Sequence, residues 1–303
     1  MYRTLVILRH TFLESIVQPI YLLLLALGGA ILIVFGLLPF FTLGEDTIMY
    51  KAVALNVVMV LALVMTLFAT SKSIYEEIED RTMLTLMSKP IRRWEVLVGK
   101  YLGIILAALM AVAILGAVVI LCTYYRIPND YMLRGWSMDD REARQIIDYR
   151  WMHLAGLAPS LFLVWLEVSV LAAIGVALST RFSLVVNLPA VILIYIAGNL
   201  TRFLFPLSDS ASGLAKAASR LVAVIFPYLA TFDLSSLTVY KTIALRNTMF
   251  WPAPGTIHPD VVYMHQIWSY VGIATLYGIV YAVFALSAGM WLFKTRELGG
   301  AEG

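Results

Sequence analysis

Charge is scarce in this sequence. Of its 303 residues, 14% are Asp, Glu, Lys or Arg, against about 25% in an average globular protein. A water-soluble domain of this length needs a charged surface, so the deficit makes sense only if lipid is the main solvent. Cysteine is scarcer still. Cys122 stands alone in an apolar run, which excludes an intramolecular disulfide and a cysteine-based metal cluster and suits a small core position. No basic stripe interleaves with aromatic residues, so nucleic acid is a poor partner. No Gly/Ser-rich linker divides the chain and no internal repeat is visible, so 1–303 reads as a single domain.

What the chain has in abundance is apolar length, with 61% hydrophobic residues. A helical span needs about 20 mostly apolar residues to cross a hydrocarbon core of about 30 Å. Six runs qualify: 17–41, 52–70, 98–123, 155–179, 184–203 and 267–293. Helices satisfy their own backbone hydrogen bonds, which makes them the expected form in lipid. A barrel would need many alternating strands of about ten residues, and continuous runs argue against it. The fold class expected is therefore all-α, with six transmembrane helices. A seventh apolar run, 221–231, is too short to span and carries Pro227, so it reads as re-entrant or interfacial. Residues 1–16 mix Arg3, Arg9, His10 and Glu14 with Leu5, Val6, Ile7, Leu8, Phe12 and Leu13, as in an amphipathic helix lying in the interface. The run after it exceeds a typical signal-peptide core and reads as a retained first span.

Lys and Arg in short loops set orientation. With the N-terminus cytoplasmic, the inner face holds Arg3, Arg9, Arg181, Lys294, Arg296 and the basic 71–97 loop. The outer face holds Lys51 in a short first loop and two longer loops, 124–154 and 204–266. The first of these has a short helix expected near 138–149; the second ends in the Pro-rich turn 251–255. Both termini are expected inside. Trp136, Trp151, Trp251 and Trp268 fall near the outer boundary as interface anchors. His153, His258 and His265 lie in or near outer loops without the spacing of a metal site.

No phosphate-binding loop is present: Gly99-Lys100-Tyr101 lacks both the upstream glycine and the following Ser or Thr. Gly99 and Gly103 do form a small-xxx-small pair, which permits close helix approach. The most informative segment is the inner loop, Ile74-Tyr-Glu-Glu-Ile-Glu-Asp-Arg-Thr82-Met-Leu-Thr-Leu-Met-Ser-Lys-Pro90-Ile-Arg-Arg-Trp-Glu-Val-Leu-Val-Gly-Lys100. An acidic stretch precedes a short apolar helix over 82–87. Pro90 stops it, and a basic stretch then leads into the third span. A solvated loop obeying charge rules accounts for Arg92 and Arg93. It does not account for Met83, Leu84, Leu86 and Met87, an apolar patch that wants a membrane surface or a protein partner.

This loop resembles that of the ABC-2 type permeases, the membrane-spanning subunits of ABC transporters. The matching residues are Glu77, Glu79, Thr82, Leu84, Leu86, Pro90, Arg93 and Gly99-Lys100. The turn Leu178-Ser-Thr-Arg-Phe-Ser183, the stretch Phe226-Pro-Tyr-Leu-Ala-Thr-Phe-Asp-Leu234 and the tail Phe293-Lys-Thr-Arg-Glu-Leu298 are similar to further family segments. Arg81 stands where the family often has Gly, and Tyr228 where it often has Asn. The resemblance implies a permease, an exporter by direction, coupled through Glu77, Glu79, Thr82, Met83, Leu84, Leu86, Met87, Pro90 and Arg93. Its partners would be a cytoplasmic ABC ATPase and a second permease subunit in a homo- or heterodimer. ATP and Mg would bind to the ATPase, with no cofactor in this chain, which would not itself be an enzyme.

Glu167 is the acidic residue deep inside a span. Such carboxylates are functional candidates by default, although a bond to Asn56, Asn187 or Asn199 on a neighbouring helix would also account for it. Three other readings stay open. One is an ion-coupled secondary transporter using Glu167. Another is a membrane enzyme, disfavoured by the absence of a His/Asp/Glu cluster in the spans. The third is a non-transporting ABC-2 assembly that transmits force to outer partners. The spans offer aromatic and aliphatic surface, which favours an apolar or amphipathic cargo.

The charge rule yields a direct test. Reporters active only outside the cell, fused after Ser88, Asp140, Arg181 and Ser236, are expected to be silent at Ser88 and Arg181 and active at the other two. Activity at Ser88 or Arg181 would overturn the topology.

Overall fold

The computed structural model describes residues 2–38, 46–80, 92–132, 150–151, 153–204, 227–239, 242–244 and 261–294. Seven long helices dominate these described residues: α1 (Tyr2–Val17), α2 (Pro19–Leu37), α3 (Asp46–Thr70), α4 (Arg93–Met132), α5 (Leu157–Ser179), α6 (Leu184–Leu204) and α7 (Met264–Lys294). α2, α3, α4, α5 and α7 are long and apolar enough to cross a membrane, and α6 adds a shorter apolar helix. The protein is an all-α polytopic membrane protein. Two three-residue strands, β1 (Thr242–Ala244) and β2 (Val261–Tyr263), pair in parallel as a local exception.

Each helix boundary has a local cause. Gln18 leaves helical geometry and Pro19 opens α2 at a position where its missing N–H is no loss. At the start of α4, Glu95 Oε2 accepts a 3.0 Å hydrogen bond from the Arg92 backbone N–H, the reach-back half of a capping box. Between α5 and α6, the Arg181 and Phe182 N–H groups both bond to the Leu178 carbonyl, and the Asn187 N–H bonds to Ser183.

α5 lies at the centre and is buried along almost its whole length. α3, α4, α6 and α7 surround it. α7 meets it with a helical stripe, Ile267, Val271, Ala274, Gly278, Ala282, Ala285, Gly289 and Phe293. The opposite face of α7 turns Ile273, Leu276, Ile279, Val280, Val283 and Phe284 outward. In water such a face would be a large exposed apolar patch; in a bilayer it is the lipid contact. α2 is similar, with Tyr21, Gly28 and Leu32 inward and Leu22, Leu23, Leu27, Ile33 and Val34 outward.

The Gly99/Gly103 pair receives α1, not another span. A Cβ at Gly103 would stand 2.7 Å from the Leu8 carbonyl oxygen and 2.8 Å from Thr11 Cβ. α1 therefore lies backbone-to-backbone against α4, burying Ile7, Thr11 and Ser15 and leaving Leu5, Val6, Leu13 and Val17 exposed.

Several sequence expectations are corrected here. Lys51 is not in a loop: it lies in the second turn of α3 and is fully buried. α4 does not end at 123 but runs to Met132, 40 residues in all, a length of about 60 Å. His153 belongs to the helical start of the 153–179 span. Of the 221–231 run, Pro227 onward is described: a 3-10 turn (Leu229–Phe232) followed by a short helix (Ser235–Thr238). The 138–149 helix, the 251–255 turn, Trp136 and Trp251 lie outside the described residues. Trp151 and Trp268 are exposed.

Because α1 is seated on glycine, Gly103→Leu is expected to lower the unfolding free energy in detergent by about 1–3 kcal/mol, the usual cost of overpacking. Gly29→Ala, whose Cβ would meet nothing within 4 Å, is the control and should not destabilise. Equal thermal melts for the two variants would contradict the contact.

Candidate functional site

The chemistry of the chain gathers at three levels along the bundle. The first is the end carrying residues 70–100, 180–183 and 294, here the loop end. An apolar cluster of Ile7, Ala69, Ile74, Ile78, Val96, Leu97, Tyr101, Ile104, Val176 and Phe293 joins α1, α3 and the turns that follow it, α4, α5 and α7 there. Past Thr70 the α3 helix continues as a six-residue π-helical turn, Ser71–Glu76, and then a last helical turn, Glu77–Glu79. Such π insertions recur at functional sites.

Lys100, two turns into α4, is buried against this turn. Its Nζ donates to the Ser73 carbonyl and, at 3.1 Å, to Ser73 Oγ. It also pairs with Glu77 Oε1 at 2.6 Å. A buried ammonium without such partners would be strongly destabilising, so the three contacts are what allow Lys100 to sit there. On the other side of the loop, the Arg93 guanidinium donates to the Phe293 carbonyl at 3.3 Å and the Lys294 carbonyl at 3.5 Å. It also lies 5.6 Å from the Phe293 ring centroid. A cation on the last carbonyls of α7 satisfies orphan acceptors and complements the helix dipole. Glu79 is exposed. Of the residues expected to couple, the structure places Glu77 and Arg93 in clamps at either edge of the loop. Thr82, Met83, Leu84, Leu86, Met87 and Pro90 lie outside the described residues.

The second level is the middle of the bundle. Glu167, ten residues into α5, is buried, hydrogen-bonded to Asn199 of α6 and close to the Asp233 carboxylate. Of the three asparagines considered, Asn56 bonds back to Ala52 of its own helix, and Asn187 reaches Gly175 and Ser179. Asp233 arrives on the 3-10 segment, whose irregular backbone is tied to α7. The Tyr228 N–H donates to Tyr277 Oη at 2.8 Å, and the Tyr270 hydroxyl donates to the Thr231 carbonyl at 2.9 Å. Non-helical backbone at this depth survives only where protein satisfies it.

The third level is the far end. Lys51 Nζ donates to the Val239 carbonyl at 3.2 Å and lies 3.1 Å from His153 Nδ1. Ser160 and Thr238 hydroxyls meet at 2.7 Å. Arg126 donates to the carbonyls of Phe35 and Gly36 at the end of α2. These contacts fasten the 3-10 segment, α3, α5, α2 and α4 together.

A family model described as ABC-2 family transporter protein matches residues 33–298. The chain belongs to that family. It is an ABC transporter permease, a multi-pass membrane component of transport, and membership implies an ATPase partner. A comparison with the curated proteins found no match. The matched span takes in both loop-edge clamps, Glu167 and the far-end contacts of this ABC-2 permease, and leaves α1 and residues 19–32 of α2 outside it.

Sequence reasoning missed the roles of Ser73, Glu95, Lys51 and Asp233, and quoted Lys100 only as part of a motif. One signal was available for Lys100: it stands inside an apolar run that otherwise begins at Val98.

Glu167 has a decisive substitution. With Asn199 as its partner, Glu167→Gln is expected to leave transport nearly intact, because an amide both donates and accepts. Loss of transport by a normally expressed and assembled Glu167→Gln permease would instead show that the carboxylate couples ions.

Proposed function

We propose that this permease is the membrane half of an ATP-driven exporter, paired with a second permease subunit and served by cytoplasmic ATPase subunits that dock on the 71–97 loop. Both termini would then be cytoplasmic. The observation that carries this reading is the clamping of the loop at both edges. Glu77 is held to Lys100 of α4, and Arg93 to the end of α7. A push on the loop is delivered to α3, α4 and α7 together, while the apolar cluster beneath spreads it to α1 and α5. A loop held at one edge alone would yield without moving the spans. The chain carries no phosphate-binding loop of its own, which is consistent with ATP binding on a partner.

Within the loop, Met83, Leu84, Leu86 and Met87 are the apolar residues that would dock into a groove of the ATPase, as amphipathic helices do. Thr82 would open that helix and Pro90 would stop it. Glu79 and the other exposed charges set orientation more than affinity. The spans offer aromatic and aliphatic surface with few fixed charges, which favours an apolar or amphipathic cargo.

An ion-coupled transporter is the reading favoured by one other observation, the approach of Asp233 to Glu167. Transport that persists after ATP depletion but collapses with the proton gradient would select it.

For the docking reading, the double variant Leu84→Ala, Leu86→Ala is expected to weaken ATPase association by roughly 1–3 kcal/mol per central contact, with membrane insertion unchanged. Copurification and ATP hydrolysis measure this. Recovery of as much ATPase as the wild type, with the same hydrolysis rate, would remove the loop from the coupling pathway.

A further inference from the structure

We infer that Arg150 and Tyr124 hold the phosphate of a membrane phospholipid at the far end of the bundle. The other cations drawn into this protein spend their donors on the protein itself. Lys51, Arg93, Lys100 and Arg126 each donate to a backbone carbonyl of another segment. Arg150 is the exception. It is half-buried, and its Nε is enclosed without a hydrogen-bond partner. Among the described residues its guanidinium meets the Tyr124 ring and no carboxylate. The guanidinium carbon lies 4.6 Å from the centroid of that ring. Tyr125 braces Tyr124 edge-on, with centroids 5.6 Å apart and ring planes at 86°. A guanidinium held on a ring face is preorganised, and its fork of N–H donors matches phosphate oxygens two at a time. With Nε enclosed, the two Nη groups are the donors left for a ligand, and the uncompensated charge calls for an anion.

The depth of the site selects the source of that phosphate. The span from His153 to Ser179 has 27 residues, or about 40 Å of helix. A bilayer with its headgroups is about 40–45 Å thick, so the His153 end of this span reaches the headgroup layer. Arg150 stands less than one helical turn before it. Tyr124 and Tyr125 lie at the same end of the bundle, in the last turn of the span Arg93–Ile127. Exposed rings flank the guanidinium, Trp151 at 57% and Tyr125 at 72%. Each has an apolar body and a polar tip, which suits the boundary between acyl chains and headgroups. A soluble anion would use the cation alone; a phospholipid uses the cation and the rings together. Its phosphate would also tie the end of α4 to the helical start of the span that contains α5.

The test uses the full permease in phosphatidylcholine vesicles that contain a small share of phosphatidylethanolamine carrying a photoreactive diazirine on its headgroup. After irradiation and digestion, mass spectrometry reads the label on the peptides containing Tyr125 and Trp151. The peptide containing Trp268, exposed near the start of α7, is the internal reference. The parent should carry several-fold more label at Tyr125 and Trp151 than at Trp268. Arg150→Gln should remove that excess. Tyr124→Leu should remove most of it although the charge remains, and Arg150→Lys should keep a part. Thermal melts of the variants in detergent should match the parent, so that loss of label is not loss of fold. Millimolar inorganic phosphate should leave the labelling unchanged. Equal labelling of the three peptides in the parent, or an excess that survives either Arg150→Gln or Tyr124→Leu, overturns the site and leaves only a belt of interfacial rings. If Arg150→Gln fails to fold, Tyr124→Leu decides. Loss of the excess on adding inorganic phosphate overturns the phospholipid as occupant and gives the site to a soluble anion.

Discussion

Hydrocarbon offers a polar atom no partner, and that constraint orders this bundle from end to end. The hydroxyls of Thr66, Thr123, Ser169, Thr275 and Ser287 each return to a carbonyl one turn back on their own helix, the local solution open to Ser and Thr. Larger polar groups cannot be satisfied so cheaply and become joints between helices. Tyr21 reaches the Ala107 carbonyl, Tyr101 the Ser169 carbonyl and Trp165 the Ile105 carbonyl. The cations obey the same rule at both ends of the bundle: Lys100, Lys51, Arg93 and Arg126 all donate to backbone carbonyls of another segment. Where a soluble protein would leave a lysine in water, this one ties two or three segments with it.

The apolar contacts supply area, and the polar joints supply register. α5 and α7 could slide past each other along a stripe of small residues, were it not that Gly289 brings the helices so close that a Cβ there would fall 2.8 Å from Ala177 Cα. The 3-10 segment is pinned by Tyr270 and Tyr277 above and by Lys51 and Ser160 at its exit. Its Asp233 is thereby presented to Glu167 at a fixed place in the membrane, instead of on a free loop.

The six apolar runs were legible because run length alone decides them, and the N-terminal amphipathic helix because charge and leucine alternate within it. The ends of the helices were less so. Lys51 and Arg126 look like loop residues by charge, and only their tertiary carbonyl partners allow them inside helices. The candidate site was half legible. Glu77 and Arg93 stood out through the loop pattern, and Asn199 was one of three possible partners for Glu167. Ser73, Glu95 and Asp233 carried no such signal, because their roles arise from a π-helical turn, a cap and an irregular segment that no hydrophobic period encodes.

The seating of α1 has a consequence for how the protein is made. Its glycine cradle lies on α4, so Gly103 leaves the ribosome some ninety residues after α1 itself. At synthesis rates of about 5–20 residues per second, α1 waits roughly 5–20 s before its binding site exists. During that interval a helix with one apolar face has the bilayer surface as its only resting place. The same leucines and valines that face outward in the finished bundle are therefore what keep the nascent chain at the membrane until the third span arrives.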